Sequence, residues 1–156
     1  MPAARMEQLP PFSIVGIDFG GPLYRNNSDN KNYIVLFICG VTRAMHLEFF
    51  DNLTNETFLL ALQRFITRRV RFIVEKATWG GVFHERLIRS VKLALRKTLG
   101  KTTVSREELE TPLIEIEGVL NFRPLTYVFS EFQEPVPLTP AHMLLRRRVN
   151  SCQAYY

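Results

Sequence analysis

Residues 33–50, YIVLFICGVTRAMHLEFF, decide the fold class of this chain. Val35, Phe37 and Cys39 alternate with Ile34, Leu36 and Ile38, and both sets are apolar. A strand apolar on both faces is a central strand covered on both sides. Only the short GVTR connection separates it from the next apolar run, so the two should pair antiparallel. A third run, FSIVGIDF at residues 12–19, precedes them across the polar stretch YRNNSDNKN. The spacing predicts a meander of strands at about 12–19, 32–40 and 44–50.

Helical spacing takes over after DNLTN, where Asn52 or Thr54 can cap a helix over 54–68. Phe58, Leu62 and Phe65 recur on one side of it. VRFIV, residues 70–74, reads as a further strand. A loop through Trp79-Gly80-Gly81 then leads to a helix at about 83–99. Ser105 and Glu108 form a capping box for another helix. Leu109, Leu113, Ile116 and Leu120 line one side of that helix, and Pro112 should bend or break its first turns. Thr139 and Pro140 suit an N-cap and first helical position. The pattern is α/β, one sheet with helices on both faces.

The chain has 156 residues, 46% of them hydrophobic, including 12 phenylalanines. That suffices for one packed core and argues against disorder. The expected division is an N-terminal tail at 1–10, a core at 11–148 and a C-terminal tail at 149–156. MPAARMEQLPP has no apolar centre for a signal peptide, and YIVLFICGV is too short to span a membrane. Cys39 and Cys152 make neither a disulfide framework nor a zinc site, so an intracellular setting is expected.

Net charge is +5 and the pI about 9.5, which suits a polyanionic partner without demanding one. From Glu85 to Lys101 there are six positive residues (Arg86, Arg89, Lys92, Arg96, Lys97, Lys101) against one negative. Further clusters are Arg64, Arg68, Arg69 and Arg71, and Arg146 to Arg148. In the 83–99 helix, Glu85, Arg89, Lys92 and Arg96 share one stripe, and Ile88, Val91, Leu95 and Leu99 share another. The stripe reads either as a solvated face with a Glu85–Arg89 pair, or as an acid that holds a divalent metal above bases that track phosphates.

Asp18 closes the first apolar run, on the side shared by Ile14 and Gly16. It reads either as a cap for the Gly20-Gly21 turn or as a metal-ligand carboxylate beside a glycine turn. His46, His84 and His142 lack metal-ligand spacing. His46, between Met45 and Leu47, reads as structural, and His84 borders Glu85. No nucleophile motif or phosphate loop is present.

Six ordered blocks carry a resemblance: PPFSIVGIDFGGPL, YIVLFICGVTRAMHLE, FLLALQRFITRR, GGVFHERLIRSVKLALRKTLGK, EELETPLIEIEGVLNFRPLTYV and LTPAHMLL. From about Pro10 to Arg148 the chain resembles the integrase core of BEL/Pao-type LTR retrotransposons, within the ribonuclease-H-like superfamily. The resemblance implies a mixed five-stranded sheet flanked by helices. It also implies two aspartates and a glutamate that bind two Mg²⁺ or Mn²⁺ ions for polynucleotidyl transfer, with DNA as partner, possible homo-oligomers and a nuclear location. Asp18 matches the first aspartate and Glu85 the glutamate. Arg89, Lys92, Arg96, Lys97 and Lys101 match the basic helix that would bind nucleic acid.

The chain departs from that pattern after Arg69. The family's second aspartate, and the strand that presents it, are missing there. Asp29 lies in the hairpin connection, and Asp51 would sit roughly 10 Å sideways, two strand spacings away. Glu75 is the least implausible stand-in. The expectation is therefore an integrase-like nucleic-acid-binding domain with impaired catalysis. The alternatives are a remnant that binds nucleic acid without metal, or an unstable pseudogene product.

Overall fold

The computed structural model describes residues 10–24, 31–69, 76–79, 82–99, 106–130 and 133–145. Strand β1 is Ile14–Tyr24, β2 Lys31–Cys39 and β3 Met45–Phe50. Helix α1 is Asn55–Arg69, followed by β4 Lys76–Trp79, α2 Val82–Leu99 and α3 Arg106–Asn121. A hairpin of β5 Thr126–Ser130 and β6 Gln133–Leu138 precedes α4 Pro140–Leu145. The main sheet has the order β3-β2-β1-β4, and β5 and β6 pair separately. The first three strands form the expected antiparallel meander, and β4 lies parallel to β1. The class is α/β, a mixed sheet flanked by helices, as expected.

Helices cover both faces because β2 is apolar on both. Ile34, Leu36 and Ile38 pack with Leu87, Ile88, Val91 and Leu95 of α2 and with Leu109, Leu113 and Ile116 of α3. Val35, Phe37 and Cys39 pack on the other side with Val15, Ile17, Ala61 and Phe65. The Phe37 and Phe65 rings stack at 4.2 Å and anchor α1. Fully burying an aromatic or aliphatic side chain of this size contributes about 1.5–3 kcal/mol. Thr54 caps α1: its hydroxyl accepts from the Thr57 N–H at 3.3 Å.

Four features differ from the sequence expectations. First, β1 does not stop at Phe19. It continues through Gly20-Gly21-Pro22, with a register shift between Gly20 and Leu23, and Leu23 and Tyr24 pair with Asn32 and Lys31. Gly21 has φ 145°, and a Cβ there would come within 2.8 Å of Tyr33 Cδ1, so the shift needs glycine. Second, the described strand beside β1 is Lys76–Trp79, where a loop was expected. The expected strand at 70–74 lies outside the described residues. Four residues carry little periodicity, and pairing with β1 is a tertiary choice.

Third, α3 runs unbroken through Pro112. The buried Leu109, Leu113 and Ile116 hold both sides of the proline against the sheet. Fourth, the β5–β6 hairpin was not anticipated, because its strands carry Pro135 and Pro137 and share no face with the main core. The short α4 follows Thr139 as expected, and the Thr139 hydroxyl accepts from the His142 N–H at 3.3 Å.

Candidate nucleic-acid interface

Asp18 lies inside β1, opposite Leu36 of β2, on the sheet face covered by α2 and α3. It is half-buried, and its Oδ1 accepts a hydrogen bond from the Phe19 N–H at 2.8 Å. It therefore does not cap a turn at a strand end. Two residues on and on the same face, Gly20 is where α2 crosses the strand. A Cβ at Gly20 would meet Ile88 Cδ1 and Cγ1 at 3.1 Å and Lys92 Cε at 3.4 Å. The glycine lets the helix approach β1 this closely.

Glu85 stands exposed in the first turn of α2, one turn before Ile88. A helix start favours a carboxylate there. Asp18 and Glu85 thus sit on the two elements that meet at Gly20. Neither takes part in a salt bridge among the described residues, so the Glu85–Arg89 pair, one of the two readings of the stripe, is not formed.

A third acid does not join them among the described residues. β4 reads Lys-Ala-Thr-Trp, and Trp79 is the register partner of Ile17, so the strand ends one position short of Asp18. Asp51 follows β3, which β2 separates from β1, and it is exposed. Asp29 and Glu75 lie outside the described residues. No three His, Cys, Asp or Glu side chains gather into a metal-holding group among the described residues. Among the described residues, Asp18 and Glu85 are thus two of the three acids that the resemblance implies for holding divalent cations.

The basic face of α2 is the more complete feature. Arg89, Arg96 and Lys97 are exposed, and Lys92 is half-buried beside Gly20. Lys101 lies outside the described residues. Arg86, not among the expected binding residues, is exposed on the same side, one turn from Arg89. Its place among the six positive residues between Glu85 and Lys101 was the available signal. No carboxylate neutralises these bases among the described residues.

The arginines of α1 are disposed otherwise. Arg64 Nε donates to Glu48 Oε2 at 2.9 Å, and Arg68 Nη1 to Glu48 Oε1 at 3.1 Å. Arg69 pairs with Glu117 of α3. Between the two buried glutamates lies His46, 3.0 Å from each. His46 is structural, as expected, but it belongs to an ionic cluster that was not foreseen. The signal was present: Glu48 interrupts the apolar run MHLEFF, and Glu117 follows Ile116 on the apolar side of its helix. Arg71 and Arg146 to Arg148 lie outside the described residues.

Burial works against the charged form of all three buried groups, and the hydrogen bonds between them prevail. His46 is raised above its ordinary 6.5: burial lowers it, and the bonds to Glu117 and Glu48 outweigh that. Glu48 and Glu117 are lowered below their ordinary 4.5. Burial raises both, and both are overcome by His46, with Arg64 adding for Glu48 and the Leu47 N–H and Arg69 for Glu117.

No family model matches this chain, and no curated protein matches it. Solved structures do match in fold. The HTLV-2 integrase catalytic core domain in complex with magnesium, in its dimeric form, superposes with a TM-score of 0.61 at 14% identity, over 87% of this chain and 98% of that one. The trimeric form gives 0.51 at 17% identity, over 86% and 97%. A chain of the simian T-cell lymphotropic virus intasome, in complex with PP2A regulatory subunit B56 gamma, gives 0.61 at 14% identity over 95% of this chain. This chain spans 61% of that chain's length. The fold is that of a retroviral integrase catalytic core.

Proposed function

We propose that this chain is an integrase-like nucleic-acid-binding domain of retrotransposon origin, of BEL/Pao type, with impaired polynucleotidyl transfer. The observation that carries the reading is the basic face of α2, which no carboxylate neutralises among the described residues and which packs at Gly20 against the strand that holds Asp18. The partner is DNA, contacted through phosphates by Arg86, Arg89, Lys92, Arg96, Lys97 and Lys101. A setting in the nucleus follows from that partner. Self-association fits the exposed Leu59, Leu60 and Ile66 of α1 and the exposed Ile114 and Val119 of α3. Asp18 and Glu85 remain from the metal-binding set, and Mg²⁺ or Mn²⁺ held by these two alone binds weakly.

Labelled duplex DNA titrated with the full chain at several salt concentrations tests the binding. Arg89→Glu with Arg96→Glu should weaken binding and reduce the slope of log affinity against log salt by about two. Unchanged affinity and slope overturn the interface. Impairment is tested by strand transfer on a labelled DNA end with Mn²⁺, where no turnover is expected. Clear turnover that disappears in Asp18→Ala overturns it. A second reading, a remnant that binds DNA without metal, is favoured by the lack of a third carboxylate beside Asp18 and Glu85 among the described residues. It predicts DNA affinity indifferent to Mn²⁺ and to Asp18→Ala.

A further inference from the structure

His46 has a carboxylate on each ring nitrogen. Nε2 lies 3.0 Å from Glu48 Oε1, and Nδ1 lies 3.0 Å from Glu117 Oε2. A neutral imidazole carries one N–H, so it can serve one of these oxygens and must set a lone pair against the other. The two carboxylates arrive as acceptors, because cations and an amide already bind them. Arg64 and Arg68 donate to Glu48, and Arg69 and the Leu47 N–H donate to Glu117. Only the doubly protonated ring satisfies both sides. The Arg69 Nε–H also points at Nδ1 at 3.4 Å, a donor that only an unprotonated Nδ1 accepts; the Glu117 oxygen is the nearer partner, at 3.0 Å, and takes the Nδ1 proton in the imidazolium.

The other neighbours of the ring are Phe37 of β2 and Phe65 of α1, stacked at 6.4 and 5.6 Å, and neither titrates. Among the described residues, the charged groups facing His46 are thus Glu48 on β3, Glu117 on α3, and Arg64, Arg68 and Arg69 on α1. Helices α1 and α3 pack on opposite faces of the sheet. Around the edge strand β3 this cluster joins them.

We propose that His46 is a proton-dependent clasp: as an imidazolium it ties Glu48, held by α1, to Glu117 of α3, and its deprotonation loosens α3 from the β3 edge. Loss of the Nδ1 or Nε2 proton breaks one of the two N–H···O contacts. It also leaves the cluster with two anions and three arginines, which restrain Glu117 less well. The elevated titration of His46 agrees with this geometry.

Nitrogen-detected NMR of the imidazole rings in the full chain tests the proposal, with His84→Gln and His142→Gln used to assign the three histidines. His46 should still hold both ring protons above pH 6.5, the ordinary imidazole value. Amide exchange protection at Leu47 and Met45, whose N–H groups bond Glu117 and Asn121, should fall as pH rises through the His46 titration. In His46→Phe, which preserves the stack on Phe65, that pH-dependent fall should disappear. Titration of His46 at or below 6.5, or protection that stays constant through it, overturns the proposal. If His46→Phe does not fold, the titration and exchange of the unaltered chain decide alone.

Discussion

The Asn121 side chain pairs with the backbone of Met45 on both sides, accepting the Met45 N–H at 2.8 Å and donating to the Met45 carbonyl at 2.9 Å. One helical turn earlier, Glu117 accepts the Leu47 N–H at 3.0 Å. Four helical residues rise about 6 Å and two strand residues about 6.6 Å, so the two spacings match. α3 therefore closes the outer edge of β3 where another strand would otherwise bond. An open edge there would invite pairing between chains.

Asn121→Leu leaves a buried N–H and a buried carbonyl of β3 without partners. Each unsatisfied group costs about 1–3 kcal/mol. Urea denaturation should show that loss, with more aggregation on refolding as the edge opens. A midpoint equal to that of the unaltered chain would show that water replaces the amide at no cost.

Gly20→Ala puts a methyl 3.1 Å from Ile88 Cδ1 and Cγ1 and 3.4 Å from Lys92 Cε. Crowding of this kind costs about 1–3 kcal/mol. Ile88→Val removes Cδ1, so the double variant should recover part of the loss. Additive effects in thermal denaturation would mean that the strand and helix do not meet at this point.

Charge reversal separates the two basic helices. Arg68→Glu places an acid beside the buried Glu48 and should lower the urea midpoint while leaving the DNA salt slope unchanged. Arg96→Glu should do the reverse, lowering the salt slope by about one with little change in stability. The two variants measured side by side decide which arginines serve the fold.

The contribution of the cluster to stability depends on pH from both sides. His46 is raised, so its contribution is complete below its ordinary 6.5 and is lost as pH rises through its folded value. Glu48 and Glu117 are lowered, so theirs are complete above their ordinary 4.5 and are lost as pH falls through the folded values. The contribution is therefore greatest between about 4.5 and 6.5. Glu117→Gln keeps an acceptor for Leu47 but strips His46 and Arg69 of their anion. Breaking a buried pair costs about 3–5 kcal/mol, with the lower end expected because the Arg69 side chain is 38% exposed. Urea midpoints across pH should show the plateau in the unaltered chain and a flatter curve in Glu117→Gln.

The meander, the helices and the two-sided core were legible in residues 12–69 because each rests on a short period. Ile34 to Cys39 reads as a central strand from its own six side chains. Asp18 and Glu85 were legible as candidates, and so was the basic face of α2. The place of β4 was not, since Lys76–Trp79 becomes a strand by pairing with β1. The continuation of β1 past Gly20 depends on Leu23 and Tyr24 finding Asn32 and Lys31.

By itself the sequence determined the three meander strands, the helices and where positive charge gathers, because periodicity and composition are local. It could not separate the arginines of α1 from those of α2, which look alike as runs. Only the tertiary structure decided that Arg64, Arg68 and Arg69 meet Glu48 and Glu117 while Arg86, Arg89, Arg96 and Lys97 stay open to solvent. The reason is distance along the chain. Arg64 reaches an acid 16 residues away and Arg69 one 48 residues away, and folding alone brings them together.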